Sequence, residues 1–254
     1  MGASAPHLRL EIERSAGGHS RIARHRATFP WSFSRGFRTS GEAVLAIPQT
    51  AGAGVFGGES VAQEAVLGPF ATLRWHVPGA LMIHPGRDSS REARLDQRFS
   101  LAEGAAMTLE GEPCALLSGA FLHFETTISV ASGARFLGFD GVCAARGGGH
   151  GFRLITRVIT NGETAFEDRQ AASFDAVARL AAQGWTAFGT VLALGPGVEA
   201  PPLGALDLGD GVYAGAAPLR GVTGLGVRIA ARDGGALRRA GREMLARLGG
   251  EAGM

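Results

Sequence analysis

Three stretches of this chain can be laid over one another without a gap. Leu67-Gly-Pro-Phe-Ala71-Thr-Leu73 matches Leu101-Ala-Glu-Gly-Ala105-Ala-Met107 and Val130-Ala-Ser-Gly-Ala134-Arg-Phe136, with an apolar residue at the first and seventh places and alanine at the fifth. The copies are offset by 34 and 29 residues. Recurrence at such a period marks strand–turn–strand units that stack, because one unit alone cannot bury its apolar side. Unrelated small-residue turns in a chain with 40 glycines would give a similar pattern, so both readings stand at this point.

The segments around the repeat are also strand-like. Leu8, Leu10 and Ile12 alternate with Arg9, Glu11 and Glu13, a strand with one wet face. Residues 27–34 carry Phe29, Trp31 and Phe33, with Pro30 pointing to an edge position. A short apolar strand at 43–47 ends at Pro48 and is followed by a glycine-rich bend at 52–58. Strands are expected at 116–130, with a turn inside, and at 152–160. Asn161-Gly162 then predicts a hairpin returning through 164–166. Further strands are expected at 186–194 and 222–230.

Two helices interrupt this pattern. Residues 174–183 place Val177, Leu180 and Ala181 on one side and stop at Gly184. Residues 237–248 gather Leu237, Met244, Leu245 and Leu248 in a stripe, with Asp233 as N-cap and Gly249-Gly250 as stop. The expected fold is therefore all-β dominated, with layered, partly solenoid-like sheets, a C-terminal helix and one further short helix. A chain of 254 residues, 45% hydrophobic, can bury one large core, and a single domain over 1–254 is expected.

Composition excludes more chemistry than it supplies. The net charge of +2 gives no case for nucleic acid or membrane, and no run approaches the length of a spanning helix. All 25 basic residues are arginine, so the glycine run at 147–151 lacks the lysine of a phosphate loop. The seven histidines show no metal-ligand spacing. Cys114 and Cys143 read as reduced, small hydrophobes. With no signal-peptide pattern at the N-terminus, the expected compartment is the cytoplasm. No acidic residue stands between Glu13 and Glu42, while Arg14, Arg21, Arg24, Arg26, Arg35 and Arg38 do. That stretch is either a solvated sheet edge or a docking face for an acidic partner. Cys143 with His150 and Asp168 has the residue types of nucleophile, base and orienter, but nothing local activates the thiol.

The order of segments resembles the UreD (UreH) family of urease accessory proteins. Residues 28–35 are similar to its early aromatic strand, and Gly57-Gly58-Glu59 to its glycine bend ending in an acidic residue. Residues 66–71, 101–113 and 134–146 are similar to its middle blocks, Asn161-Gly162 with Asp168-Arg169 to its hairpin, and 226–248 to its terminal strand and helix. Glu59 stands where the family has aspartate, and the glutamate after Arg146 is missing, which marks a divergent member. The resemblance implies a scaffold and metallochaperone rather than an enzyme. It would bind apo-urease and the UreF-like and UreG-like partners, with nickel in transit and no cofactor held tightly. By the same resemblance, Glu59 is the candidate transit carboxylate. Arg146, Arg238, Arg239, Arg242, Met244 and Leu248 are the candidate partner-binding residues. The alternatives are a β-rich binding module with no urease link, which gene neighbourhood would reveal, and an enzyme dependent on Cys143, which its alanine variant would test.

Overall fold

A computed structural model describes residues 5–87, 92–145, 149–198 and 204–249. The chain begins with a hairpin, β1 (Leu8–Arg14) and β2 (Ser20–Ala27). Four short strands follow: β3 (Trp31–Ser32), β4 (Phe37–Arg38), β5 (Val44–Ala46) and β6 (Gln49–Thr50). The strand expected over 27–34 is reduced to the β3–β6 bridge, since Pro30 has no N–H to give a ladder.

Three coils come next. The first is β7 (Val55–Phe56), β8 (Ser60–Leu67) and β9 (Thr72–His76). The second is β10 (Met82–His84), β11 (Ala93–Leu101) and β12 (Ala106–Glu110). The third is β13 (Cys114–Leu116), β14 (Phe121–Val130) and β15 (Arg135–Ala144). Their strands stack in parallel: β8 on β11 on β14, and β9 on β12 on β15. The sequence repeat is this stacking. Leu67 pairs with Leu101 and Leu101 with Val130, while Leu73 pairs with Met107 and Met107 with Phe136.

The turn inside each repeat has one shape. Its fourth residue is left-handed in all three coils: Phe70 (φ 56), Gly104 (φ 62) and Gly133 (φ 69). A Cβ on Gly104 would meet the Phe70 ring at 2.4 Å, so the second coil needs glycine both for its backbone and for the ring above it.

In the remainder β16 (Gly151–Thr160) adds in parallel to β14, and the later strands close the structure in antiparallel pairs. β16 and β17 (Glu163–Ala172) form the expected hairpin, with Asn161 and Gly162 both left-handed. After α1 (Phe174–Ala182) come β18 (Ala187–Leu194), β19 (Gly204–Leu206), β20 (Val212–Pro218) and β21 (Gly224–Ala231), then α2 (Gly234–Arg247). One sheet runs β17-β16-β14-β11-β8-β1-β2. The other runs β19-β20-β21-β18-β15-β12-β9-β5-β4, with β7, β10 and β13 attached. The strands β19 and β20 were not expected, because 204–218 is rich in glycine and alanine and shows no apolar alternation.

Alternation in β11 and β14 sends one side chain in two to the space between the sheets. There Trp75 meets Phe99 edge-on and Phe99 stacks on Phe136 within the larger core. A second core lies on the far side of the second sheet, where α2 covers it. A Cβ on Gly241 would stand 2.6 Å from the Phe139 ring, so this glycine brings the helix down onto the sheet.

Candidate functional site

Parallel stacking places repeat-equivalent residues side by side, and one such set is polar. Across the inner side of the first sheet, Gln63, Gln97, Thr126, Thr156 and Asp168 pair in one continuous row. Gln63, Gln97 and Thr126 are buried. The side-chain carbonyls of Gln63 and Gln97 have no hydrogen-bond partner among the described residues. Each such group costs about 1–3 kcal/mol when left dry.

The opposite sheet answers with a second row, Asp140, Thr190 and Arg228, again paired strand to strand. The rows are stitched together. Thr126 Oγ1 donates to Asp140 Oδ2 at 3.4 Å. Gln170 Nε2 donates to Thr190 Oγ1 at 2.8 Å and to Asp168 Oδ2 at 3.0 Å. The Arg228 guanidinium pairs with Asp168.

This polar seam opens to solvent at one end. A cleft of about 530 Å³ lies between β16–β17 and β18–β21, with Tyr213, Phe166 and Pro218 among its apolar walls. Asp168, Gln170, Thr156, Thr190 and Arg228 are among its polar lining. Thr156, Thr190 and Leu192 are shared with a void of about 10 Å³ farther in, where Thr126 and Asp140 meet. Such a void has room for about one water. Burial pushes the Asp140 carboxyl up to about 6; the Thr126 hydroxyl opposes the rise, and the charge of Asp168 adds to it. Oxygen donors, two of them carboxylates, therefore run from the cleft into the core. Among the described residues no group of three or more His, Cys, Asp or Glu gathers into a metal cage.

The residues singled out from sequence lie elsewhere, except Asp168. Glu59 is exposed in the bend before β8, where its carboxylate accepts from the Phe56 amide at 2.9 Å; it does not line the cleft. Arg146 lies outside the described residues. On α2, Met244 is buried against the second sheet and Leu248 is half-buried at its edge. Arg242 pairs with Glu112 at 2.8 Å, with Arg238 at 4.0 Å from the same carboxylate, and Arg239 is exposed. Arg21 and Arg24 are exposed on β2, the edge strand of the first sheet.

Cys143, His150 and Asp168 are not brought together. Cys143 packs toward α2 on the outer side of the second sheet, and burial raises its thiol pKa. Both ring nitrogens of the buried His150 face backbone carbonyls, those of Leu117 and Ala145, each at 2.9 Å. Asp168 lies between the sheets in the Arg228 pair. The spacing of Asp140 from Thr126 and Asp168 carries no motif. The repeat does carry a signal: Gln63, Gln97 and Thr126 each stand four residues before Leu67, Leu101 and Val130.

The comparisons agree with one another. A family model described as UreD urease accessory protein matches residues 4–253. Urease accessory protein UreD 3 of Bradyrhizobium sp. is 27% identical over 237 residues, covering 89% of this chain and 84% of that protein. Urease accessory protein UreD 1 of Methylorubrum populi is 27% identical over 252 residues, covering 93% and 84%. A UreD 1 protein of Streptomyces griseus is 31% identical over 107 residues, covering 41% of this chain and 40% of that protein.

Proposed function

The chain belongs to the UreD family of urease accessory proteins, and from that premise we propose that it is a scaffold that holds apo-urease beside UreF-like and UreG-like partners and passes nickel through its own interior. As a member of an accessory-protein family it is not an enzyme. Residues 1–254 act as one unit in the cytoplasm, and nickel is cargo rather than a resident cofactor.

The observation that carries the reading is the polar seam. A structural core has no use for two unpartnered glutamine carbonyls and a carboxylate between its sheets, because each costs stability. A path for a divalent ion needs such groups. Oxygen donors spaced along a strand-to-strand row bind a metal weakly and release it to the next, whereas a His/Cys cage would retain it. Two carboxylates with threonine hydroxyls between them and amide oxygens beyond suit handover better than storage.

Co-expression tests the scaffold part. The tagged chain is produced with the urease subunits and the accessory proteins encoded beside it, and the purified material is analysed by mass. Recovery of apo-urease and the UreF-like protein in stoichiometric amounts is the expected result. Recovery of the chain alone under conditions where urease itself is soluble would remove the reading.

A further inference from the structure

The seam begins at an ion pair, and that pair has an unequal construction. Asp168 is held from two sides. Its Oδ2 accepts from the Gln170 amide, which also reaches Thr190 on the other sheet, and its Oδ1 faces Arg228. The aspartate side chain keeps 18% of its surface, whereas that of Arg228 keeps 60%. One partner is fixed in the wall and the other stands in solvent on a long, flexible stem.

We propose that Arg228 gates the seam. Its guanidinium occupies the first carboxylate that an incoming divalent cation must take, so entry at the cleft is a cation exchange on Asp168. The inference rests on the transit reading given above and adds its control point. Asp168 is the only carboxylate, and Arg228 the only basic residue, among the described residues lining the cleft. Asp140, the next carboxylate, lies farther in, beyond the shared threonines. An ion pair with one partner this exposed is weak, so a cation of higher charge can displace the guanidinium. The same charge repels cations while it remains in place. Release of Arg228 leaves Asp168 positioned, because Gln170, itself anchored on Thr190, continues to hold it. A protein surface that offers Arg228 a carboxylate of its own would open the gate as it docks.

Titration calorimetry of the full chain with Ni²⁺ alone tests this. Arg228→Ala, and Arg228→Met with its apolar stem retained, are compared with the parent and with each variant combined with Asp168→Asn. Circular dichroism checks that each keeps the β-spectrum, and the methionine variant carries the comparison if the alanine variant does not fold. The expected result is Ni²⁺ binding about tenfold tighter without the guanidinium, a difference of ~1.4 kcal/mol, with the gain lost when Asp168→Asn is added. Equal, Asp168-dependent affinity in parent and Arg228 variants overturns the gate and leaves the transit reading intact. Absence of any Asp168-dependent binding in all of them overturns both.

Discussion

Asp140 is a carboxylate placed where the fold would be more stable without its charge. Its pKa of about 6 in the folded chain, against an ordinary 3.8, means that the native state binds the proton more tightly than the unfolded chain does. Below pH ~4 both states are protonated and the residue costs little. As pH rises from there to about 6, unfolding releases a proton, stability falls, and above about 6 the loss is complete. A shift of this size corresponds to ~3 kcal/mol at most. Asp140→Asn keeps the shape and still faces Thr126. It is expected to unfold at higher urea than the parent at pH 7.5, by ~1–3 kcal/mol, and to match it near pH 4. A difference that is the same at both pH values would show that the charge is not the source. Thr126 shares its place in the repeat with Gln63 and Gln97, but its pairing with Asp140 could not be read from spacing, because the two belong to strands that meet only across the sandwich.

At the scale of elements, the coils and most of the closing strands were legible, and β19 and β20 were not. The repeat with its alanines and small-residue turn encodes register, since stacking puts equal positions side by side. Asn161-Gly162 and the helix cap Asp233 are local chemistry, and each appears where the sequence places it. β20 is held by neighbours on a sheet and by α2, a long-range cause that its own alanines and glycines do not announce.

The packing of α2 also decides which of its residues can probe the proposed partner contact. Leu237, Met244 and Leu245 cover Phe139, Val191 and Ile229, so deleting the helix exposes an apolar sheet. Arg238 and Arg242 serve the largely buried Glu112. Arg239 is exposed and, among the described residues, forms no ion pair, which makes it the clean probe. Arg239→Glu is expected to change stability by less than ~0.5 kcal/mol and to weaken co-purification with the UreF-like protein about tenfold. Full retention of that partner by the soluble variant would assign the contact to another surface.

The whole molecule is a sandwich whose larger core combines apolar and polar packing. Trp75, Phe99, Phe136 and their neighbours supply the apolar burial that keeps the sheets together. Alongside them the seam from Asp168 to Gln63 keeps oxygen atoms facing one another at a cost in stability. The proposed passage of nickel along that seam is tested most directly by the nickel content of matured urease. Urease is produced in cells with the chain as it stands and with Asp140→Asn, at equal complex recovery, and metal is measured by mass spectrometry. The account predicts that the variant assembles with urease as before, is at least as stable, and delivers several-fold less nickel at limiting supply. Equal nickel loading by the two chains at every supply level would contradict it.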